Sequence, residues 1–191
     1  MKRILALLVF VGLIVAGCGE KITVEKENQK NSSDNKVVIK QNTEKSLDNF
    51  VAADVVRIVD GDTIVARFNG KEEKVRFIGV NTPESTTRHE PYGKEASAYT
   101  KKELKNKKIY LEKDVGERDK YGRILAYIWL EKPASFAEKE IRAGMFNARL
   151  VAEGYAQVMT VPPNVKYADL FVRLQREARE ANKGLWGLKV K

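Results

Sequence analysis

Residues 59–84 place six groups suited to oxyanions and divalent ions at the two ends of the stretch and in its third strand: Asp60, Asp62, Arg76, Asn81, Thr82 and Glu84. Carboxylate, amide and carbonyl oxygens are hard ligands for Ca2+ or Mg2+, and a guanidinium holds phosphate through paired hydrogen bonds. An ion and arginines around one carboxylate can open a phosphodiester. The cations offset charge building on the phosphorane while the carboxylate positions or deprotonates water. The chain has one histidine, His89, between Arg88 and Glu90, and one cysteine, Cys18. A serine triad with histidine and a multi-histidine zinc site therefore lack raw material. No intrachain disulfide or cysteine cluster can form. His89 reads as a solvated loop residue.

Two turn signals organise the stretch. Asp60-Gly61 and Asn69-Gly70 are strong hairpin dipeptides, so strands over 51–59, 63–68 and 73–80 form a three-strand meander. Asp62 then starts the middle strand and residues 81–84 follow the third, so polar groups from both ends of the stretch converge. After Pro91-Tyr92-Gly93, residues 94–105 read as a helix with Ala96, Tyr99, Thr100 and Leu104 at core spacing. Strands over 109–113 and 123–130 follow, joined by a charged loop. Three strands, a helix and two strands is the order of an OB-fold. The expected fold is α+β, a five-stranded OB barrel capped by three or four helices. Ser135 and Glu138 resemble a capping box. Helices follow over 147–153, stopped by Gly154, and over 164–183, closed by Gly184. Leu170, Leu174, Ala178 and Ala181 share a face of the last, and Trp186 reads as its core anchor.

The first residues differ in kind. Lys2 and Arg3 precede an apolar run over 4–15 and then Ala16-Gly17-Cys18, the pattern of an export signal too short to span a bilayer comfortably. Val15-Ala16-Gly17-Cys18 resembles a bacterial lipobox, which implies cleavage before Cys18 and a diacylglyceryl group on its sulfur. The expected organisation is a lipoprotein signal over 1–17, a lipidated cysteine and disordered tether over 18–49, and a folded domain over 50–191. Six lysines and six acids cancel within 19–49, which holds no aromatic residue. Apart from Lys2 and Arg3, the +9 formal charge therefore falls on the folded part. A basic exported domain suits polyanions, either nucleic acid or envelope material.

Six motifs, in order, carry a resemblance. They are V-D-G-D-T at 59–63, V-R-F-I-G-V-N-T-P-E at 75–84, Y-G-K-E-A-S at 92–97, D-K-Y-G-R-I-L-A-Y at 119–127, L-V-A-E-G-Y-A at 150–156 and P-P-N at 162–164. Over residues 53–187 the chain resembles the thermonuclease (micrococcal nuclease) family. That resemblance implies a Ca2+-dependent nuclease cutting DNA and RNA to 3′-phosphate ends. It implies Asp62 as a metal carboxylate, Thr82 as a carbonyl ligand, Arg76 and Arg123 as phosphate-binding residues, and Glu84 acting on the attacking water. Asp60 lies near the metal, and Lys120 and Tyr121 flank the nucleotide.

The chain departs from the family pattern in three places. Asn81 stands where a second metal-binding aspartate is usual; it remains a ligand in this reading, with weaker binding. Residues 158–161 lack the tyrosines often found near the base, so Met159 and Val161 offer apolar contact without stacking. Residues 132–144 form a helix-containing insertion. With Cys18 lipidated, the expectation is a monomeric nuclease on the outer face of the cell membrane. The alternatives are a catalytically weak nucleic-acid-binding lipoprotein and an envelope protein using the barrel for protein contacts.

Overall fold

The computed structural model describes residues 49–86 and 88–188. The expected leader over 1–17, Cys18 and the tether as far as residue 48 lie outside the described residues. The meander forms as the turn signals require: β1 (Phe50–Asp60), β2 (Thr63–Phe68) and β3 (Lys71–Phe77) are antiparallel neighbours. Asn69 and Gly70 both take positive φ in the second turn, as a tight primed turn demands. β5 (Lys108–Glu112) pairs with β1, and β6 (Ile124–Trp129) pairs with β5. A parallel pairing of β3 with β6 closes a five-strand barrel in the order β1-β2-β3-β6-β5.

The third strand stops three residues short of the expected 80. Gly79 takes φ +77°, and a Cβ there would lie 2.7 Å from the Phe171 ring. The chain therefore turns out of the barrel, and β4 (Gly79–Asn81) pairs with β7 (Gln157–Met159) in a separate small sheet.

Alternate strand residues fill the barrel: Ile64 and Ala66, Val75 and Phe77, Ile109 and Leu111, Ala126 and Ile128 are all buried, the period-2 pattern of a strand with one face inward. Helix α1 (Gly93–Leu104) packs on β1, burying Ala96, Thr100 and Leu104. Helices α2 (Glu138–Gly144), α3 (Phe146–Ala152) and α4 (Ala168–Glu180) cover the other side, followed by a 3-10 turn over Gly184–Gly187.

Three details of these helices depart from expectation. Ser135 Oγ accepts from Ala137 N–H at 3.3 Å, and α2 begins beyond it without a side-chain cap, so the capping box does not form. The last helix begins at Ala168, because Asn164 is engaged with both backbone groups of Gly116. Leu170, Leu174 and Ala178 are buried, whereas Ala181 is exposed past the helix end. Trp186 is half-buried under the Arg179 guanidinium, 4.2 Å from its ring. The insertion serves as a plug: Phe136 stacks on Phe50 and meets Trp129 edge-on at the barrel end.

Candidate active site

The Asp60–Thr63 turn is held from behind. Thr100 Oγ1 on α1 donates to Gly61 O at 2.6 Å, and Phe77 N–H donates to Asp62 O at 2.9 Å. Gly61 is required by space, since a Cβ there would lie 2.7 Å from Thr82 Oγ1. Asp62 is thereby fixed in a buried position. Its Oδ1 accepts from Thr63 Oγ1 at 3.0 Å, and its Oδ2 from Thr82 N–H at 2.9 Å. Arg76 Nη2 lies 3.0 Å from that same Oδ2.

Arg76 is the most enclosed cation of the group. Nη1 donates to Phe77 O at 2.7 Å and Val80 O at 2.8 Å, and Nη2 donates to Asn81 Oδ1 at 3.1 Å. Its Nε–H has no partner among the described residues, and the side chain lines the cleft described below. Burial pulls this guanidinium down from its ordinary value, Asp62 opposes the shift, and the charge of Arg123 adds to it.

Asp60 sits across the turn, accepting from Gly61 N–H at 2.8 Å and Ser85 Oγ at 2.5 Å. Burial pushes its carboxyl above the usual range against those two hydrogen bonds, and the charges of Glu84 and Asp62 add to the rise. Glu84 Oε1 accepts from Thr86 N–H at 2.9 Å and from Thr86 Oγ1. Its backbone closes a loop with Glu90, whose N–H donates to Glu84 O at 2.7 Å.

Arg123 arrives from the opposite wall, one residue before β6. Its Nε and Nη2 both reach Asp119 Oδ2 at 2.7 Å, while Asp119 Oδ1 accepts the backbone N–H of Tyr121 and Arg123. Partial burial alone would push Asp119 up, but these hydrogen bonds and the Arg123 charge hold it below the ordinary carboxylate value. Tyr121 is 71% exposed, with the Lys120 ammonium 5.1 Å and the Arg123 guanidinium 5.4 Å from its ring centroid, within cation–π range.

All eight residues expected at the site line one cleft of about 910 Å3: Asp62, Arg76, Asn81, Thr82, Glu84, Lys120, Tyr121 and Arg123. Asp60 joins them, as do Met159, Val161 and Pro162 in place of rings. His89 is exposed with its ring against Ser85 O, as a solvated loop residue should be. Two supporting residues went unread in the sequence. Asp119 stands four residues before Arg123, a spacing that could have paired them, whereas the link from Ser85 to Asp60 spans a loop and left no local signal.

The donor set fits a hard cation. Among the described residues no three His, Cys, Asp or Glu side chains gather into a metal cluster, so an ion here would have to draw on the buried carboxylate of Asp62, the Asn81 amide oxygen and the Thr82 carbonyl. A carboxylate offers about four lone-pair sites, and Asp62 Oδ1 has one acceptance committed. Beside it, Thr82 Oγ1 is buried and has no hydrogen-bond partner among the described residues.

The barrel order and this cleft define an OB-fold protein that gathers hard oxygen ligands and guanidinium groups at its mouth. The chain belongs to the family of staphylococcal nuclease homologues, whose family model matches residues 74–187. It is similar to the thermonuclease of Staphylococcus hyicus, 43% identical over 135 residues that cover 69% of this chain and 73% of that protein. The thermonuclease of Staphylococcus intermedius is 44% identical over 135 residues, covering 69% of this chain and 74% of its own. Endonuclease YncB of Bacillus subtilis (strain 168) is 31% identical over 206 aligned residues, 97% of this chain and 92% of that protein.

Proposed function

We propose that this chain is a Ca2+-dependent phosphodiesterase that hydrolyses DNA and RNA to 3′-phosphate products. Its family and its thermonuclease and endonuclease relatives make it a nuclease. The observation that supports the finer reading is the sharing of one cleft by Asp62, Arg76, Glu84 and Arg123.

Arg123 binds a non-bridging phosphate oxygen with the donors that Asp119 leaves available, and Arg76 adds its Nε–H from the floor. Glu84, held by Thr86, orients the attacking water. The water oxygen bonds to phosphorus, the bond from phosphorus to the 5′ oxygen breaks, and that oxygen takes a proton to leave as a hydroxyl. Asp62, Asn81 and the Thr82 carbonyl would hold Ca2+, which supplies charge neutralisation at the phosphorane when bound. Tyr121 and Lys120 lie along the nucleotide. A lipidated Cys18 and the 18–49 tether carry the monomer on the outer face of the cell membrane; the lipobox-like residues 15–18 support this.

A second reading has one observation in its favour. Asn81 turns its only side-chain acceptor to Arg76 and brings no charge to an ion, which suits a catalytically weak nucleic-acid binder. Incubating the full chain with plasmid DNA and with RNA, in Ca2+ or in EGTA, separates the two. Ca2+-dependent cutting with 3′-phosphate ends upholds the proposal, and binding without cutting replaces it with the second reading. Loss of membrane association in a Cys18→Ser variant checks the anchoring.

A further inference from the structure

The face of α1 turned away from the barrel holds a row of lysines that the cleft does not use. Lys94 and Lys101 stand seven residues apart on one side of the helix, with Ala98 between them, and Lys105 follows directly at its C-cap. All three are exposed, as are Lys107 and Lys108 just beyond the helix end. No ion pair among the described residues involves any of these five.

Two acids share the helix: Glu95, exposed and next to Lys94, makes no ion pair among the described residues, and Glu103 pairs with Arg149 of α3 at 3.6 Å. Asp54 stands opposite Lys108 in the β1–β5 pairing without closing to an ion pair. Among the described residues the row therefore keeps a net positive charge, five lysines against Glu95 and Asp54, on a fixed element.

Its placement relative to the cleft gives it a use. The helix starts against the backbone of Glu84, because a Cβ on Gly93 would lie 2.6 Å from Glu84 O. One turn from its end, Thr100 ties the helix to Gly61 between the two aspartates. The helix thus runs along the back of the Asp60–Thr63 turn, with Lys94 next to the contact between Gly93 and Glu84, a residue of the cleft. At 1.5 Å per residue the span from Lys94 to Lys105 is about 16 Å, or about five phosphates of one duplex strand at about 3.4 Å each.

We infer that this face of α1 is a second contact surface for the nucleic-acid backbone, holding the polyanion beyond the nucleotides that fill the cleft. The inference rests on the nuclease reading for the identity of its partner. Lysines on backbone phosphates bind without base preference and release counterions, so the surface raises affinity for long substrates and leaves chemistry at the cleft unchanged.

The test uses the full chain with Lys94→Gln, Lys101→Gln and Lys105→Gln combined. Duplex binding is measured in EGTA across a salt series, and cleavage of a dinucleotide that fills only the cleft is measured in Ca2+. The slope of log Kd against log salt should fall by about 2 to 3, while dinucleotide cleavage stays at the parent level, because none of the three lysines lines the cleft. The matching triple change to arginine should keep the parent slope. A parental slope in the glutamine variant overturns the inference. So does loss of binding to phosphatidylglycerol vesicles with duplex binding intact, which would make the face a membrane contact. A parent that cuts neither substrate defeats the nuclease reading instead, and the salt slope still decides this one.

Discussion

The two arginines proposed to meet phosphate differ in how the fold holds them, and a matched pair of substitutions separates the consequences. Arg76 spreads four acceptors over two nitrogens: Phe77 O and Val80 O on Nη1, Asp62 Oδ2 and Asn81 Oδ1 on Nη2. Lysine carries its three donors on one atom and cannot span that fork. Arg76→Lys therefore gives up at least two contacts made by a buried cation. Hydrogen bonds to charged groups contribute about 1.5–3 kcal/mol each, so the loss is about 3 kcal/mol or more. Arg123 has one carboxylate partner in a side chain 28% exposed. Exposed pairs are worth about 0–1 kcal/mol, so Arg123→Lys should unfold close to the parent.

Both variants should lose cleavage, by about 100-fold or more, as when one donor to a developing oxyanion is removed. The assay is urea unfolding beside Ca2+-dependent cleavage, each under conditions where the variant is folded. With m near 1–3 kcal/mol/M, the Arg76 variant's midpoint should fall by about 1 M or more while that of Arg123 barely moves. Equal midpoints, or a loss below about 1 kcal/mol at position 76, would refute the argument that Arg76 is a structural clamp as well as a ligand.

Asn81→Asp adds a unit charge to the proposed ion site; such a charge at about 4 Å is worth at least about 1 kcal/mol even in water, so calorimetry should give Ca2+ binding several-fold tighter, and unchanged affinity would remove position 81 from the ligand set. The depressed Asp119 carboxyl contributes stability that is complete at neutral pH, because the folded state holds the charged form. That contribution fades as pH drops below the ordinary value of 3.8 through the lower folded value, so urea midpoints of parent and Asp119→Asn should differ at pH 7 and draw together as the pH is taken down below 3.8. Glu112, 1% exposed, accepts from Trp129 Nε1 at 2.7 Å and Tyr167 OH at 3.0 Å and pairs with Lys166. Glu112→Gln strips the charge and one acceptor from that group and should cost about 3 kcal/mol in urea unfolding with cleavage retained in the folded protein.

The parts legible in the sequence were those written in neighbouring residues. Asp60-Gly61 and Asn69-Gly70 gave the meander, and through it the approach of Asp62 to residues 81–84. The spacing of Ala96, Thr100 and Leu104 gave the buried face of α1. What escaped depended on distant partners. The break after Phe77 is set by Phe171 passing over Gly79, some ninety positions along. The delayed start of α4 follows from Asn164 reaching back to Gly116. Asn147, a buried amide on α3, accepts from Ile128 N–H and donates to Ile78 O. Nothing near it in the chain marks that role.

That last residue bears on the site although it does not itself line the cleft. Arg76 lies opposite Thr63 across β2–β3 and opposite Leu125 across the parallel β3–β6 pair. Asp62 is one residue before Thr63 and Arg123 two before Leu125, so one transverse row through Arg76 sets where the acid and the second arginine emerge. Strand side chains alternate with period 2, and a slip of one residue would turn Val75 to the cleft and Arg76 into the core. The row is pinned where the parallel strands part: Ile78 N–H donates to Ala126 O at 3.0 Å, and the Asn147 amide bridges the carbonyl of Ile78 to the backbone of Ile128. The separation of the two arginines is therefore fixed by a helix on the far side of the barrel mouth as much as by the strands that carry them.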